Sequence, residues 1–137
     1  MTFTIDSRID ADSRLVAKRD NLQIRLMDDE RFFWLLIIPE IEGATELQDL
    51  DPSTFDALMA LARGLGAAIK ASDQADKINT AAIGNVVSQL HLHVIARHKT
   101  DPAWPAPVWG HGTPVPAKPE TTARRETIIN AWLDANA

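Results

Sequence analysis

The chain has no cysteine. That excludes disulfides and thiolate metal sites, and it fits an intracellular, cytoplasmic setting best. Tyrosine is also absent, and the aromatic set is limited to four Trp and four Phe. A basic surplus is lacking too: 14 Lys and Arg face 19 Asp and Glu, a formal charge of −5. Such a balance provides no general pull toward a polynucleotide backbone, so no nucleic-acid partner is expected, whereas a small anion needs only a local site. The longest apolar stretch, Phe32 to Pro39, is far too short to span a bilayer. The opening residues Met1 to Asp6 lack the basic start and apolar run of a signal peptide. With 137 residues, the length suits one ordinary domain with its own core and no need of staples.

What is present reads as an α+β chain. Leu22 to Met27 alternates as a strand with one wet face would, and Asp28 to Arg31 is a polar turn. Phe33 to Ile38 reads as a buried strand stopped by Pro39, close enough to the first to form a hairpin. Ile41 to Leu50 reads as loop. Asp51-Pro52 is a helix start with Asp as N-cap, and Phe55, Leu58, Met59, Ala62, Leu65 and Ile69 then share one face. Gly64 and Gly66 interrupt that helix where another backbone is expected to come near. Lys77 to Ala82 is expected to be a strand, Ile83 to Asn85 a turn, and Val87 to Arg97 the strongest strand. A Trp/Pro-rich loop follows, about 101–119, and a last helix, about 121–136, buries Ile128, Ile129, Trp132 and Leu133. The order predicts an antiparallel sheet covered by helices within a single domain.

Candidate chemistry concentrates on Gln89-Leu90-His91-Leu92-His93. Side chains alternate along a strand, so Gln89, His91 and His93 share one face and Leu90, Leu92 and Val94 the other. Three readings compete for these histidines. They are the wet face of an antiparallel strand. Or they belong to a metal site, although no third ligand lies nearby and His98 falls on the opposite face. Or they serve phosphoryl or nucleotidyl transfer, where one imidazole attacks phosphorus and a neighbouring imidazole or amide holds its oxygens. Among other residues, Arg97 reads as a phosphate ligand or a surface charge at a strand end. Trp104 and Trp109 read as base-stacking groups, as dimer contacts, or as packing of the loop onto the sheet. His111, between two glycines, reads as loop, and Arg124 and Arg125 as a solvated helix face.

The segment from Gly84 to Arg97 resembles the active-site strand of the histidine triad (HIT) family. That pattern has three histidines alternating with apolar residues, preceded by a Gly-Gln or similar pair and followed by Pro/Gly-Arg. The resemblance takes in the hairpin ending at Pro39, the long central helix, Asn79 and the Trp-Pro segment. It implies a HIT-like antiparallel sheet with packed helices. It also implies a nucleotide-binding hydrolase or transferase, usually a homodimer; no cofactor is expected, and no metal, since a third ligand is lacking. His91 matches the histidine that attacks the α-phosphorus and becomes nucleotidylated, and His93 the third histidine, which contacts phosphate. Asn79 matches a polar residue bordering the phosphate pocket, Asn85 the polar residue of the phosphate loop, and Asp28 a position that binds ribose hydroxyls. Trp104 resembles a tryptophan that reaches the neighbouring subunit's pocket. Gln89, beside His91 and His93 in the catalytic set, is expected to help hold the phosphate.

The sequence departs from the pattern at several points. Gln89 stands at the first triad position, where it hydrogen-bonds but carries no proton or charge at neutral pH. A Gln also occurs in the triad of the galactose-1-phosphate uridylyltransferase branch, though at the third position. Phe32-Phe33-Trp34 replaces a Pro-Gly-His, and Val86 a Ser or Thr beside the phosphate loop. Glu40, Ile41 and Glu42 stand where basic residues and a histidine often follow the Pro39 position, and the loop between the first two strands is short. Two expectations result. One is nucleotide hydrolysis or nucleotidyl transfer through His91, on a nucleoside phosphoramidate or dinucleoside polyphosphate. The other is a non-catalytic nucleotide-binding module, motivated by Gln89 and Val86.

Overall fold

The structure, a computed structural model, describes residues 2–137. A six-residue helix, α1 (Ser7–Asp12), leads into β1 (Ser13–Arg19), β2 (Leu22–Met27) and β3 (Trp34–Pro39). A short 3-10 turn at Leu47–Asp49 precedes α2 (Pro52–Asp73), β4 (Lys77–Ala82), β5 (Leu92–Arg97) and α3 (Pro119–Ala135). The five strands form one antiparallel sheet in the order β1-β2-β3-β5-β4. This is the HIT-like α+β arrangement that the sequence pattern implies.

The sheet has two unlike faces, sorted by the alternation of side chains along each strand. Ile24, Leu26, Leu35, Ile37, Leu92 and Val94 join Leu58, Leu65 and Ile69 of α2 and Ile129 of α3 in the main core. Each such side chain contributes roughly 1.5–3 kcal/mol by leaving water. The opposite face carries Trp34, Leu36, Ile38 and Ile95 and is covered by Ile9 of α1 and by Ala103 and Val108 of the loop after β5. By the same alternation, His91 and His93 belong to this second face.

Helix α2 starts as the sequence predicts. Asp51 caps it by accepting from the Thr54 N–H at 3.2 Å, and Pro52 occupies the first turn, where its missing N–H costs nothing. Its buried stripe includes Thr54 and Leu61, while Phe55 is turned outward. Gly64 makes room for a side chain rather than a backbone: a Cβ there would run into the Trp132 ring of α3.

The structure departs from the sequence reading at β1 and α1, at the start of β5 and at Arg125. Strand β1 and helix α1 carry no clear signal, because Ser-Arg-Leu-Val-Ala-Lys-Arg lacks clean alternation, and its register with β2 slips between Leu15 and Ala17. Strand β5 begins at Leu92, not near Val87, since the chain from Gly84 to His91 is irregular. Arg125 is buried rather than solvated, donating to the carbonyls of Asp29 and Glu30 at 2.8 and 3.1 Å.

Candidate functional site

His91 sits at the mouth of β5, where the irregular 84–91 segment enters the sheet. Gly84 makes the tight approach possible, because a Cβ there would lie 2.9 Å from the Val87 carbonyl. The segment bounds a cavity of about 160 Å³ whose walls include Thr45, Glu46, Gly84, Asn85, Ser88 and His91. At roughly 30 Å³ per water in the liquid, that is room for about five waters, enough for a phosphoryl group. Among the described residues, no Lys or Arg lines it. The donors its walls can offer an anion are therefore neutral groups, the Asn85 side chain among them, and Glu46 adds a carboxylate.

The two histidines are held in opposite tautomers by their partners. His91 Nδ1 lies 2.6 Å from the backbone carbonyl of Gln89. A carbonyl only accepts, so Nδ1 carries the hydrogen and, in the neutral ring, Nε2 keeps its lone pair. His93 Nδ1 instead accepts from the indole N–H of Trp34 at 3.0 Å. An indole only donates, so the His93 hydrogen resides on Nε2, which is buried without a hydrogen-bond partner among the described residues. Burial, and then the neighbouring His91, push the His93 pKa down to about 4, with the Ile83 backbone opposing. His93 is therefore neutral at physiological pH. The two imidazoles meet edge to face at 4.8 Å. Trp109 stacks edgewise on His93 at 5.1 Å and on Trp34 at 6.2 Å.

Other residues singled out from the sequence are distributed unevenly. Asn85 lines the His91 cavity. Asp28 and Trp34 line a separate, larger cavity of about 410 Å³ with Met27, Arg31, Val108 and His111. The Asp28 carboxylate also accepts from the Ala117 N–H at 2.8 Å. Asn79 and Gln89 are turned to partners within the chain: Asn79 accepts from Arg97 at 2.8 Å, and the Gln89 amide bonds to the backbone of Thr4 and Asp6. Trp104 lies over the Arg97 guanidinium at 5.6 Å.

Arg97 is neither a phosphate ligand nor a surface charge. It is 1% exposed and forks onto Asp101 at 2.8 and 3.1 Å, with further bonds to Asn79 and the Ala106 carbonyl. Burial opposes ionisation of Asp101, but the Arg97 fork and the amides of His98, Trp104 and Ala103 outweigh it and hold its pKa at about 2. The ion pair ties the Trp/Pro-rich loop to the end of β5. Trp34 is the residue of the histidine cluster that sequence reasoning misses. Its signal is the departure at Phe32-Phe33-Trp34, an aromatic where the family pattern has histidine.

A HIT domain model matches residues 8–100. The chain belongs to the HIT family. Among solved structures it is similar to a histidine triad protein of Sinorhizobium meliloti 1021, with 38% identity, a TM-score of 0.91 and coverage of 95% of this chain and 96% of that one. It is similar to another from Marinobacter aquaeolei VT8, with 33% identity, a TM-score of 0.94 and full coverage of both chains. A third, from Bradyrhizobium japonicum, has 31% identity, a TM-score of 0.93 and coverage of 96% and 98%. No curated protein gives a match. HIT proteins in general bind nucleotides and hydrolyse or transfer them. No helix among the described residues is long and apolar enough to cross a membrane.

Proposed function

We propose that this HIT protein cleaves a nucleoside phosphoramidate or dinucleoside polyphosphate through a covalent nucleotidyl-histidine on His91. The observation that carries the reading is the His91 ring: Nδ1 is tied to the Gln89 carbonyl at 2.6 Å, which leaves Nε2 as the lone pair, beside a phosphate-sized cavity. In the first step Nε2 attacks the α-phosphorus in line, a P–N bond forms, and the bond to the leaving amine or phosphate breaks. The leaving group departs with the bond's electron pair and takes a proton from solvent. Water or another acceptor then attacks the same phosphorus, and His91 is released unchanged.

Asn85 and the loop amides hold the phosphoryl oxygens in this scheme, and His93, neutral and packed edge to face on His91, supports that ring from beneath rather than reaching the phosphate. Asp28, on the larger cavity, binds the ribose hydroxyls. Trp104 closes the substrate region from the loop that Arg97 anchors, and Asn79 acts through its bond to Arg97. A homodimer and a cytoplasmic location complete the reading; the family resemblance supports the first, and the absence of cysteine the second.

Incubation with a slowly cleaved dinucleoside polyphosphate tests it. Intact mass should rise by one nucleotide on the wild type and not on His91→Ala. Equal adduct on both proteins removes His91 as the nucleophile. Tight binding of nucleoside monophosphate with neither adduct nor turnover leaves the non-catalytic module.

A further inference from the structure

Gln89 occupies a position at which the family pattern has a histidine, yet both atoms of its amide are committed inside the chain. Oε1 accepts from the Asp6 N–H at 2.9 Å and Nε2 donates to the Thr4 carbonyl at 2.9 Å. A primary amide presents a donor and an acceptor side by side, as a peptide edge does, so it pairs with backbone as another strand would. An imidazole offers one of each, but they diverge across the ring. The backbone carbonyl of the same residue accepts from His91 Nδ1. One residue therefore joins the N-terminal segment to the ring that carries the chemistry.

The segment so held is part of the folded body. Phe3 and Ile5 pack on the cluster containing Trp34, Leu36 and Ile95. Asp6 caps α1 by accepting from the Arg8 N–H at 2.8 Å, and α1 brings Asp10 within 2.8 Å of the buried Arg25 guanidinium. A loose end would have no such ties.

We propose that Gln89 is a positioning residue: its side chain fastens Thr4–Asp6, and that fastening fixes the carbonyl that orients the His91 ring. Its consequence for rate rests on His91 being the nucleophile; its structural content does not. Direct phosphate contact by the Gln89 amide is left to its second Nε2–H, since the backbone holds Oε1 and one Nε2 hydrogen.

The test uses the full chain and two variants, Gln89→Ala and Asp6→Pro. The second removes the donated N–H, and with it the carboxylate that caps α1, without touching residue 89, and a φ of −58° at Asp6 suits proline. Three quantities are read: hydrogen exchange of the segment 3–10, the His91 tautomer from its ring nitrogen shifts, and the split between kcat and KM. Exchange should rise by at least roughly tenfold in both variants, since tenfold is the size expected for one lost hydrogen bond and each variant loses two. The His91 ring should pass from one dominant tautomer to a mixture, and kcat should fall with KM little changed. Unchanged exchange in Gln89→Ala overturns the fastening. Raised exchange with an unchanged tautomer overturns the link to His91. A rise in KM with tautomer and kcat intact assigns the amide to phosphate binding instead. Exchange and tautomer need no turnover, so absence of the nucleotidyl adduct on wild type would refute the catalytic reading without deciding this one.

Discussion

The two ends of one short strand behave as different materials. At the entry of β5, His91 faces a cavity with one ring nitrogen bonded to backbone and the other free. Two residues on, His93 lies on the same face but is enclosed by Trp34 and Trp109, with its pKa pushed down to about 4. Further along, Arg97 is bound to Asp101 and shielded by Phe32 and Trp104. Identical side chains at alternating positions thus acquire different work from what packs over them. Both rings are buried, 7% and 5% exposed, so what separates them is the cavity beside His91 and its unbonded Nε2.

The contrast breaks most sharply at His91. His91→Ala should lower the rate of nucleotidyl adduct formation by at least about a thousandfold, as loss of a nucleophile does, while denaturant unfolding changes little. A large loss of stability with the adduct retained would reverse the assignment of the two ends.

Asp101→Ala should do the opposite. It leaves the Arg97 guanidinium buried without its counter-ion, at a cost of about 3–5 kcal/mol read from urea unfolding. The pair's stabilisation is present above the unfolded carboxyl's ordinary range and is fully lost only as pH falls through the folded value of about 2. Mild acid should therefore leave this end intact.

His93 sharpens the comparison through pH. Its folded pKa lies below its unfolded one, so the unfolded chain binds the extra proton between about 4 and 6.5. Stability should rise with pH across that window and fall as acid is added, by up to about 3 kcal/mol at roughly 1.4 kcal/mol per unit. His93→Gln should flatten the dependence in unfolding curves taken between pH 4 and 7. A wild-type curve that is already flat would show His93 charging freely, and so reachable by solvent.

The smallest effect belongs to Trp34→Phe, which keeps most of the packing and deletes the indole donor. A loss of about 1 kcal/mol is expected. The ring nitrogen shifts of His93 should also report a mixture of tautomers in place of one. An unaltered His93 spectrum would mean that the indole bond does not set its proton.

Much of this is legible from residues alone. Asp51-Pro52 marks the start of α2, Leu22 to Met27 and Lys77 to Ala82 mark β2 and β4 at their bounds, and alternation places His91 and His93 on one face. Strand β1 is not legible, because its polar residues and slipped register erase the period-two signal. Nor is the buried state of Arg97 and Arg125. A charge in a sequence reads as solvated until its partners are known, and Asp101 and the Asp29 and Glu30 carbonyls are supplied by folding.

Local pattern by itself determined the family motif, the strand faces and the cap of α2, since each depends on neighbours a few residues apart. Tertiary structure alone decided which histidine lines a cavity, which nitrogen of each ring carries the hydrogen, and where the Gln89 amide is spent. Those outcomes depend on Trp34, Thr4 and Asp6, which are brought to the strand from 59, 85 and 83 positions away. No spacing rule can reach a hydrogen bond whose two ends meet only after the chain has closed.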